Sequence, residues 1–215
     1  MLTRSRLLSV VLVLVLAIAA RAETLQFLKA NSVDPAKLLP GPPSAKSCEV
    51  AAELDSLVAI QQQRTPAQVA VCTSQEALTI ATFQSAMGER FRDGNLQPVG
   101  ELLKKADKDA KYFSDIAKKT FHRPRPFLAD PRIKPVFPNE LGYAYPSGHA
   151  MRGILYATIL AEIAPECREA LLERGREIGW NRLVAGVHHP SDVMAGRVLG
   201  QALAQALLAE PKFRE

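Results

Sequence analysis

The chain has 215 residues, of which 47% are hydrophobic and 23% charged, proportions that are ordinary for one globular domain with a buried core. Three of its 27 basic residues, Arg4, Arg6 and Arg21, lie within the first 22 residues, which hold no acidic residue. The remainder therefore has 27 − 3 = 24 basic against 22 acidic residues, a net charge of +2. This balance gives no support for a nucleic-acid partner.

Residues 1–22 have the pattern of a secretory signal peptide. Basic residues open the segment, an apolar run follows, and Ala20-Arg21-Ala22 forms an A-x-A cleavage site. An uncleaved membrane anchor is the alternative, but the apolar run is short and the cleavage site is good. We therefore expect a mature chain that begins near Glu23, a periplasmic location and no stable membrane insertion after cleavage.

Three cysteines follow this segment, namely Cys48, Cys72 and Cys167. Export permits a disulfide, and Cys48–Cys72 is the pairing that we expect first, with one thiol left over. The cysteine spacings match no zinc motif. No cysteine lies in a motif with a base, so a catalytic thiol is not expected.

The mature chain is predicted to begin with an extended arm over residues 23–44. Asp34-Pro35 and the proline-rich residues 39–43 cannot continue a helix. From about residue 45 to 64, apolar side chains recur at helical spacing, which predicts the first helix.

The next two helices are predicted from capping and periodicity. Thr65-Pro66 places an N-cap residue before a proline at the first helical position, so a helix should run from there towards a C-cap at Gly88. Asp93-Gly94-Asn95 is typical of a turn. Residues 98–121 form a third predicted helix, with a charged face that we interpret as solvent-exposed and an apolar face that should be buried.

Five prolines between Arg123 and Tyr145 predict a long loop, and such loops in compact domains are usually functional. Three more helices are predicted over about 148–164, 165–186 and 190–209, the last two with proline in the first turn. The chain is therefore predicted to be all-α, a single-domain bundle of about six main helices with its active site at one end, where loops meet helix N-termini.

Polar residues that suit phosphate chemistry fall into three groups around this loop. The groups are Lys118 with Arg125-Pro126, then Pro146-Ser147-Gly148-His149, then Arg182 with His188 and Asp192. Singly, each has an ordinary explanation, such as a helix-end lysine, a structural histidine or a surface ion pair. Together they supply cations and helix N-terminal amides for three phosphate oxygens, with two histidines for nucleophile and acid.

The residue types alone do not decide which histidine attacks phosphorus. Asp192 lies four residues beyond His188, so its carboxylate can accept from a ring nitrogen and orient the imidazole. The sequence has no cluster of carboxylates or histidines that would hold two metal ions, which argues against a two-metal phosphatase. We therefore expect no cofactor.

The order and spacing of the three groups resemble the type-2 phosphatidic acid phosphatase superfamily, whose pattern is K-x6-R-P, then P-S-G-H, then S-R-x5-H-x3-D. The only departure is Asn181, which stands where the family usually has serine. The likeness extends to the bacterial class A non-specific acid phosphatases. It covers most of the mature chain, and it implies a helical acid phosphatase domain over residues 45–215 with its motif core at 111–213.

The resemblance implies a role for each matched residue. His188 would attack phosphorus and form a phosphohistidine, Asp192 would orient it, and His149 would protonate the leaving alcohol and then activate water. Phosphate oxygens would be held by Lys118, Arg125, Ser147, Gly148 and Arg182, with backbone amides contributing at Ser147 and Gly148. By motif spacing, Arg123 would be a flank of the site and His189 a wall of its pocket.

The leading hypothesis is a secreted, metal-independent acid phosphatase acting on phosphate monoesters, with mildly acidic working pH because a histidine acid must be protonated. A lipid or isoprenoid phosphate phosphatase is the alternative enzyme, and a vanadate-dependent haloperoxidase a further one. A non-catalytic anion-binding module would need only the cations. Family likeness also suggests a homodimer.

The substrate is not indicated by the sequence. Four aromatic residues lie on the loops expected to rim the pocket, namely Phe127, Phe137, Tyr143 and Tyr145. They would either stack on an aromatic leaving group or pack the loops against the core.

Overall fold

The computed structural model describes residues 25–88 and 96–215. The expected signal peptide and the predicted turn at residues 93–95 lie outside these ranges. Within them the chain forms helices and no strand, so the prediction of an all-α domain is confirmed. None of the helices in the described ranges is both long enough and apolar enough to span a bilayer.

The helices are α1 (Pro35–Leu38), α2 (Cys48–Gln63), α3 (Pro66–Ser74), α4 (Gln97–Phe121), α5 (Pro126–Ala129), α6 (Gly148–Ile163), α7 (Arg168–Val184), α8 (Pro190–Ala209) and α9 (Pro211–Arg214), with 3-10 turns at Ile80–Ala86 and Pro165–Cys167. Six of those described, α2, α3, α4, α6, α7 and α8, have nine residues or more. They correspond to the six predicted segments. The long loop after α4 contains only the single turn of α5.

Helix α3 is shorter than the sequence predicts. It starts as expected, with Thr65 and Gln68 forming a capping box, but it ends at Ser74 instead of continuing towards Gly88. Gln75 is buried just past this end, and its side-chain oxygen accepts a hydrogen bond of 2.9 Å from Asn181 Nδ2. The residues at positions 75–78 are good helix formers, so this tertiary contact, and not local propensity, accounts for the end of the helix.

Helix α6 is the centre of the bundle and packs closely on both α7 and α8. A Cβ atom at Gly153 would lie 2.6 Å from the carbonyl oxygen of Gly175, so only glycine allows this approach of α6 to α7. Against α8, a Cβ at Gly196 or Gly200 would overlap the carbonyl oxygens of Ser147 and Met151. These contacts bring the N-terminal ends of α6 and α8 together.

The N-terminal arm is anchored by a buried carboxylate on α4. Asp109 accepts hydrogen bonds from the backbone amides of Gln26, Phe27 and Leu28 at 2.6, 2.9 and 2.8 Å. Three donors around one carboxylate satisfy a buried charge that would otherwise be costly. The arm is therefore tied to the bundle by its own main chain.

The expected disulfide between Cys48 and Cys72 is absent, and all three cysteines are free thiols. Cys48 is exposed at the start of α2, whereas Cys72 is buried in α3 and its Sγ lies 3.2 Å from the carbonyl oxygen of Asn181. The pairing predicted from the sequence is therefore wrong. Cys72 serves instead as a packing residue between α3 and α7.

Candidate active site

The three groups of polar residues lie where several helix ends meet. Lys118 is in the last turn of α4, and Arg125 is the N-cap of α5. Ser147 is the N-cap of α6, and Arg182 is in the last turn of α7. The remaining members, His188 and Asp192, precede and begin α8.

The start of α6 offers fewer amide donors than expected. The Ser147 amide donates a 2.9 Å hydrogen bond to the carbonyl oxygen of Asp192, so it is not available to a phosphate. The Ser147 hydroxyl caps the helix by accepting from the Ala150 amide at 3.4 Å. The turn can still offer the Ser147 hydroxyl hydrogen and the Gly148 amide, which points out of the helix start.

Asp192 is fully buried and holds both adjacent histidines. Its Oδ2 accepts from the His189 amide at 2.8 Å and from His189 Nδ1 at 3.2 Å, and it lies 3.5 Å from His188 Nδ1. Burial alone would raise the pKa of the Asp192 carboxyl, but the neighbouring imidazoles of His188 and His189 hold it well below its ordinary value. His189 is thus more than a pocket wall, because it contacts Asp192 more closely than His188 does.

His188 is buried, and its two ring nitrogens have distinct neighbours. Arg125 Nη1 lies 2.8 Å from Nε2, and because a guanidinium only donates, Nε2 must accept. The proton of the neutral ring is therefore on Nδ1, which faces Asp192. Burial, together with the charges of Arg125 and Lys118, lowers the pKa of His188 to about 3, although Asp192 acts in the opposite direction.

The loop between α5 and α6 supplies hydrogen-bond acceptors to two of the cations expected to bind phosphate. Within this loop, Arg125 donates to Glu140 Oε1 at 3.0 Å and to the carbonyl oxygens of Gly142 and Leu141 at 3.2 and 3.3 Å. It also donates to the carbonyl oxygen of Val187, between α7 and α8, at 2.9 Å. Lys118 Nζ donates to the carbonyl oxygen of Tyr143 at 2.7 Å. Burial, and then the charge of Arg125, lowers the pKa of Lys118 to about 8.

Arg182 and His149 lie against the turn that follows α3. Arg182 Nη2 donates to the carbonyl oxygen of Cys72 at 3.0 Å, and its guanidinium lies 5.5 Å from the centre of the Phe137 ring. His149 Nε2 donates to the carbonyl oxygen of Glu76 at 3.1 Å. Burial, and then the charge of Arg182, lowers the pKa of His149 to about 3. The sequence did not identify this turn as part of the site.

Asn181, the residue that departs from the family pattern, contacts the same turn, because its Nδ2 donates to the side-chain oxygen of Gln75.

Of the four aromatic residues on the loops, Tyr145 is buried, with its ring centre 5.0 Å from that of Phe121. Phe137 lies beside Arg182, whereas Tyr143 is exposed. The Tyr143 ring lies edge-to-face on the ring of His122, with centres 4.7 Å apart, and Phe127 packs against two hydrophobic clusters.

Arg123, which motif spacing treated as a flank of the site, lies inside the charged cluster around Asp192. Its side chain is buried, and its Nη1 donates to Asp192 Oδ1 at 2.7 Å and to Ser191 Oγ at 2.6 Å. Its Nη2 donates to Glu53 Oε2 at 2.7 Å. Arg123 thus contacts the carboxylate that faces His188, a contact that motif spacing did not predict.

Comparison with known proteins identifies relatives of this chain by sequence. A model of the PAP2 superfamily matches residues 110–214. The acid phosphatase of Zymomonas mobilis subsp. mobilis is 31% identical over 191 residues, which cover 84% of this chain and 72% of that protein. The non-specific acid phosphatase of Providencia stuartii is 31% identical over 138 residues, and that of Salmonella typhimurium 33% over the same length. The chain spans 56% and 55% of the length of these two relatives.

A solved structure with a similar fold is that of a transmembrane PAP2 type phosphatidylglycerolphosphate phosphatase from Bacillus subtilis. It superposes with a TM-score of 0.53 at 19% identity, over 74% of this chain and 85% of that one. The two proteins therefore share a similar arrangement of helices. From its sequence matches and its motif-bearing helix ends, the chain belongs to the PAP2 superfamily.

Proposed function

We propose that this protein is an exported, metal-independent acid phosphatase that hydrolyses phosphate monoesters through a phosphohistidine on His188. The observation that carries the proposal is the state of His188. Its Nε2 lone pair faces Arg125, while its Nδ1 faces the Asp192 carboxylate. This is the tautomer in which Nε2 carries the lone pair, and Nε2 can attack phosphorus once Arg125 Nη1 turns from Nε2 to a phosphate oxygen.

In the proposed first step, phosphate oxygens replace the loop acceptors on Lys118 and Arg125 and are also held by Arg182 and Gly148. Nε2 of His188 forms a bond to phosphorus as the ester P–O bond breaks, and His149 gives its proton to the leaving oxygen. Asp192 accepts from Nδ1–H and stabilises the positive charge that develops on the ring.

In the second step, His149 takes a proton from water as the water oxygen attacks phosphorus and the N–P bond breaks. Inorganic phosphate then leaves, and the loop acceptors return to the cations. At the start of α6, phosphate would accept hydrogen bonds from the Ser147 hydroxyl and the Gly148 amide. The Ser147 amide, which was also expected to donate, already donates to the carbonyl oxygen of Asp192.

The proposed acid has a low proton affinity in the ligand-free site, where the pKa of His149 is about 3. Part of this depression comes from the charge of Arg182. A phosphate dianion bound at Arg182 would offset that charge and raise the proton affinity of His149. Activity should therefore depend on protonation of the substrate complex rather than of the free enzyme.

The proposal is tested by hydrolysis of an aryl phosphate in excess EDTA, with rapid quenching to trap the intermediate. Wild type should turn over and form an acid-labile, alkali-stable phosphoenzyme, whereas His188→Ala should form none. Turnover that EDTA abolishes, or an unimpaired His188→Ala, would overturn the proposal.

A further inference from the structure

A chain of buried charges connects helix α2 to the residues that flank His188. Arg123 bridges Glu53 and Asp192 through its two terminal nitrogens, each at 2.7 Å from a carboxylate oxygen. The side chains of Arg123 and Glu53 are only 6% and 12% exposed. Ion pairs this deeply buried depend strongly on geometry, since an unpaired partner would retain an uncompensated charge.

Glu53 connects the same chain to the backbone of α8. Its Oε1 accepts from the Ser191 amide at 2.7 Å, while its Oε2 accepts from Arg123. The Ser191 amide belongs to the first turn of α8, where amides lack partners within the helix. Glu53 therefore holds both Arg123 and the helix end that bears Asp192.

This arrangement divides the two oxygens of Asp192 between different partners. Oδ1 accepts from Arg123, which leaves Oδ2 to His189 and to the 3.5 Å approach of His188 Nδ1. Among the described residues, Arg123 is the one arginine or lysine in ion-pair contact with this buried carboxylate. Without it, the carboxylate could rotate and lose its approach to His188.

We propose that Arg123 and Glu53 are positioning residues, which fix the Asp192 carboxylate so that Oδ2 faces Nδ1–H of His188. This inference rests on the proposed function, in which Nε2 of His188 attacks phosphorus and Nδ1–H must stay in place while the ring becomes positive. Neither residue touches the substrate. Their effect is transmitted through Asp192, and small displacements at a nucleophile are costly to rate.

The chain supplies a matched control on the same helix. Asp55 lies two residues after Glu53 and accepts from Arg132 Nη2 at 2.8 Å, but these side chains are 67% and 57% exposed. An exposed pair of this kind contributes little to stability and does not contact Asp192. Asp55→Asn thus repeats the chemical change of Glu53→Gln without disturbing the buried chain. For Arg123→Lys the matching control is Arg168→Lys, at an exposed pair in which Arg168 Nη1 lies 3.2 Å from Glu162 Oε1.

The kinetic test compares these four variants on an aryl phosphate, with melting temperature as a check on folding. Glu53→Gln keeps an acceptor for the Ser191 amide, and Arg123→Lys keeps a positive charge, so both should fold. We expect kcat to fall about 10- to 100-fold in both, with KM changed by less than about threefold. The two control variants should retain the kcat of wild type.

A double variant separates positioning from general damage. If Arg123 acts through Asp192, Asp192→Asn combined with Arg123→Lys should be no slower than Asp192→Asn alone. Multiplied losses would show independent effects and overturn the inference. So would wild-type kcat in folded Arg123→Lys and Glu53→Gln.

Ring-nitrogen NMR on protein with 15N-labelled histidine gives a readout that does not need turnover. His188 signals, assigned with His188→Ala, should show a protonated Nδ1 and a bare Nε2 in wild type. These shifts should change in Arg123→Lys and Glu53→Gln but not in Asp55→Asn. If wild type lacked phosphatase activity, the proposed function would fail, whereas unchanged His188 shifts in the two buried variants would overturn the positioning role itself.

Discussion

Replacing Glu140 by glutamine should strengthen phosphate binding. The Glu140 carboxylate accepts from Arg125 Nη2 at 3.0 Å. Burial lowers the pKa values of Lys118, Arg125 and Arg182, and the negative charge of Glu140 opposes this lowering at all three. It therefore lies among the three cations expected to hold phosphate, where it competes with the substrate. Glu140→Gln keeps the size and an acceptor oxygen but removes the competing charge.

The size of the effect follows from the exposure of Glu140. A hydrogen bond to a charged group contributes about 1.5–3 kcal/mol when well buried. The side chain of Glu140 is 33% exposed, so solvent screening reduces this to about 1 kcal/mol. That free energy corresponds to about fivefold tighter binding of orthovanadate or inorganic phosphate.

Inhibition constants for both anions, measured against an aryl phosphate at constant ionic strength, test this prediction. Glu162→Gln is the control, because it makes the same charge change at an exposed pair with Arg168, whose Nη1 is 3.2 Å away. Anion affinity should rise in Glu140→Gln and stay constant in Glu162→Gln. Equal or weaker binding in Glu140→Gln would show that Glu140 does not compete with phosphate, and an equal rise in both variants would indicate only a change in net charge.

Three further predictions concern the leaving group, the dependence of stability on pH, and the packing of α6 on α7. His149→Ala should lose far less rate with a nitrophenyl phosphate than with an alkyl phosphate, whereas His188→Ala should lose both; equal losses in His149→Ala would remove its role as acid. Because the pKa values of His149 and His188 are lowered to about 3, the unfolded chain binds protons between about pH 6.5 and 3 that the folded chain does not. The free energy of unfolding, measured with urea, should therefore fall as pH drops through this window, by up to about 1.4 kcal/mol per pH unit for each histidine, and saturating phosphate should reduce the slope. Gly175→Ala should destabilise the fold by about 1–3 kcal/mol in the same assay, because its Cβ would lie 2.6 Å from the carbonyl oxygen of Gly153, and an unchanged midpoint would refute that packing.

Several helix starts were predictable because their signals are local, although α7 begins at Arg168, after the 3-10 turn Pro165–Cys167, and not at Pro165 as predicted. Thr65 and Ser147 cap the helices that the sequence places after them, and α8 begins at Pro190 as expected. The end of α3 was not predictable, because a residue 106 positions away supplies the contact that buries Gln75. Propensity alone does not register such a contact.

The site shows the same division between local and distant information. Motif spacing selected the charged neighbours of His188, which are Arg125, Asp192 and Lys118, but it treated Arg123 as a flank. Arg123 reaches Asp192 because His122 ends α4 in a left-handed conformation, with φ of 49°, and redirects the chain. Its other partner, Glu53, is 70 residues away in sequence, and no local pattern connects the two.

The ligand-free site must satisfy its cations before a substrate arrives, because buried and unpaired guanidinium or ammonium groups would destabilise the fold. Lys118 and Arg125 meet this need with loop carbonyl oxygens, and Glu140 adds a partly exposed carboxylate. These acceptors carry less charge than a phosphate dianion, so the dianion can displace them. They are also tethered nearby and can return when inorganic phosphate leaves. The loop between α5 and α6 would then serve two purposes, since it lets the empty site fold and it keeps product from binding too tightly.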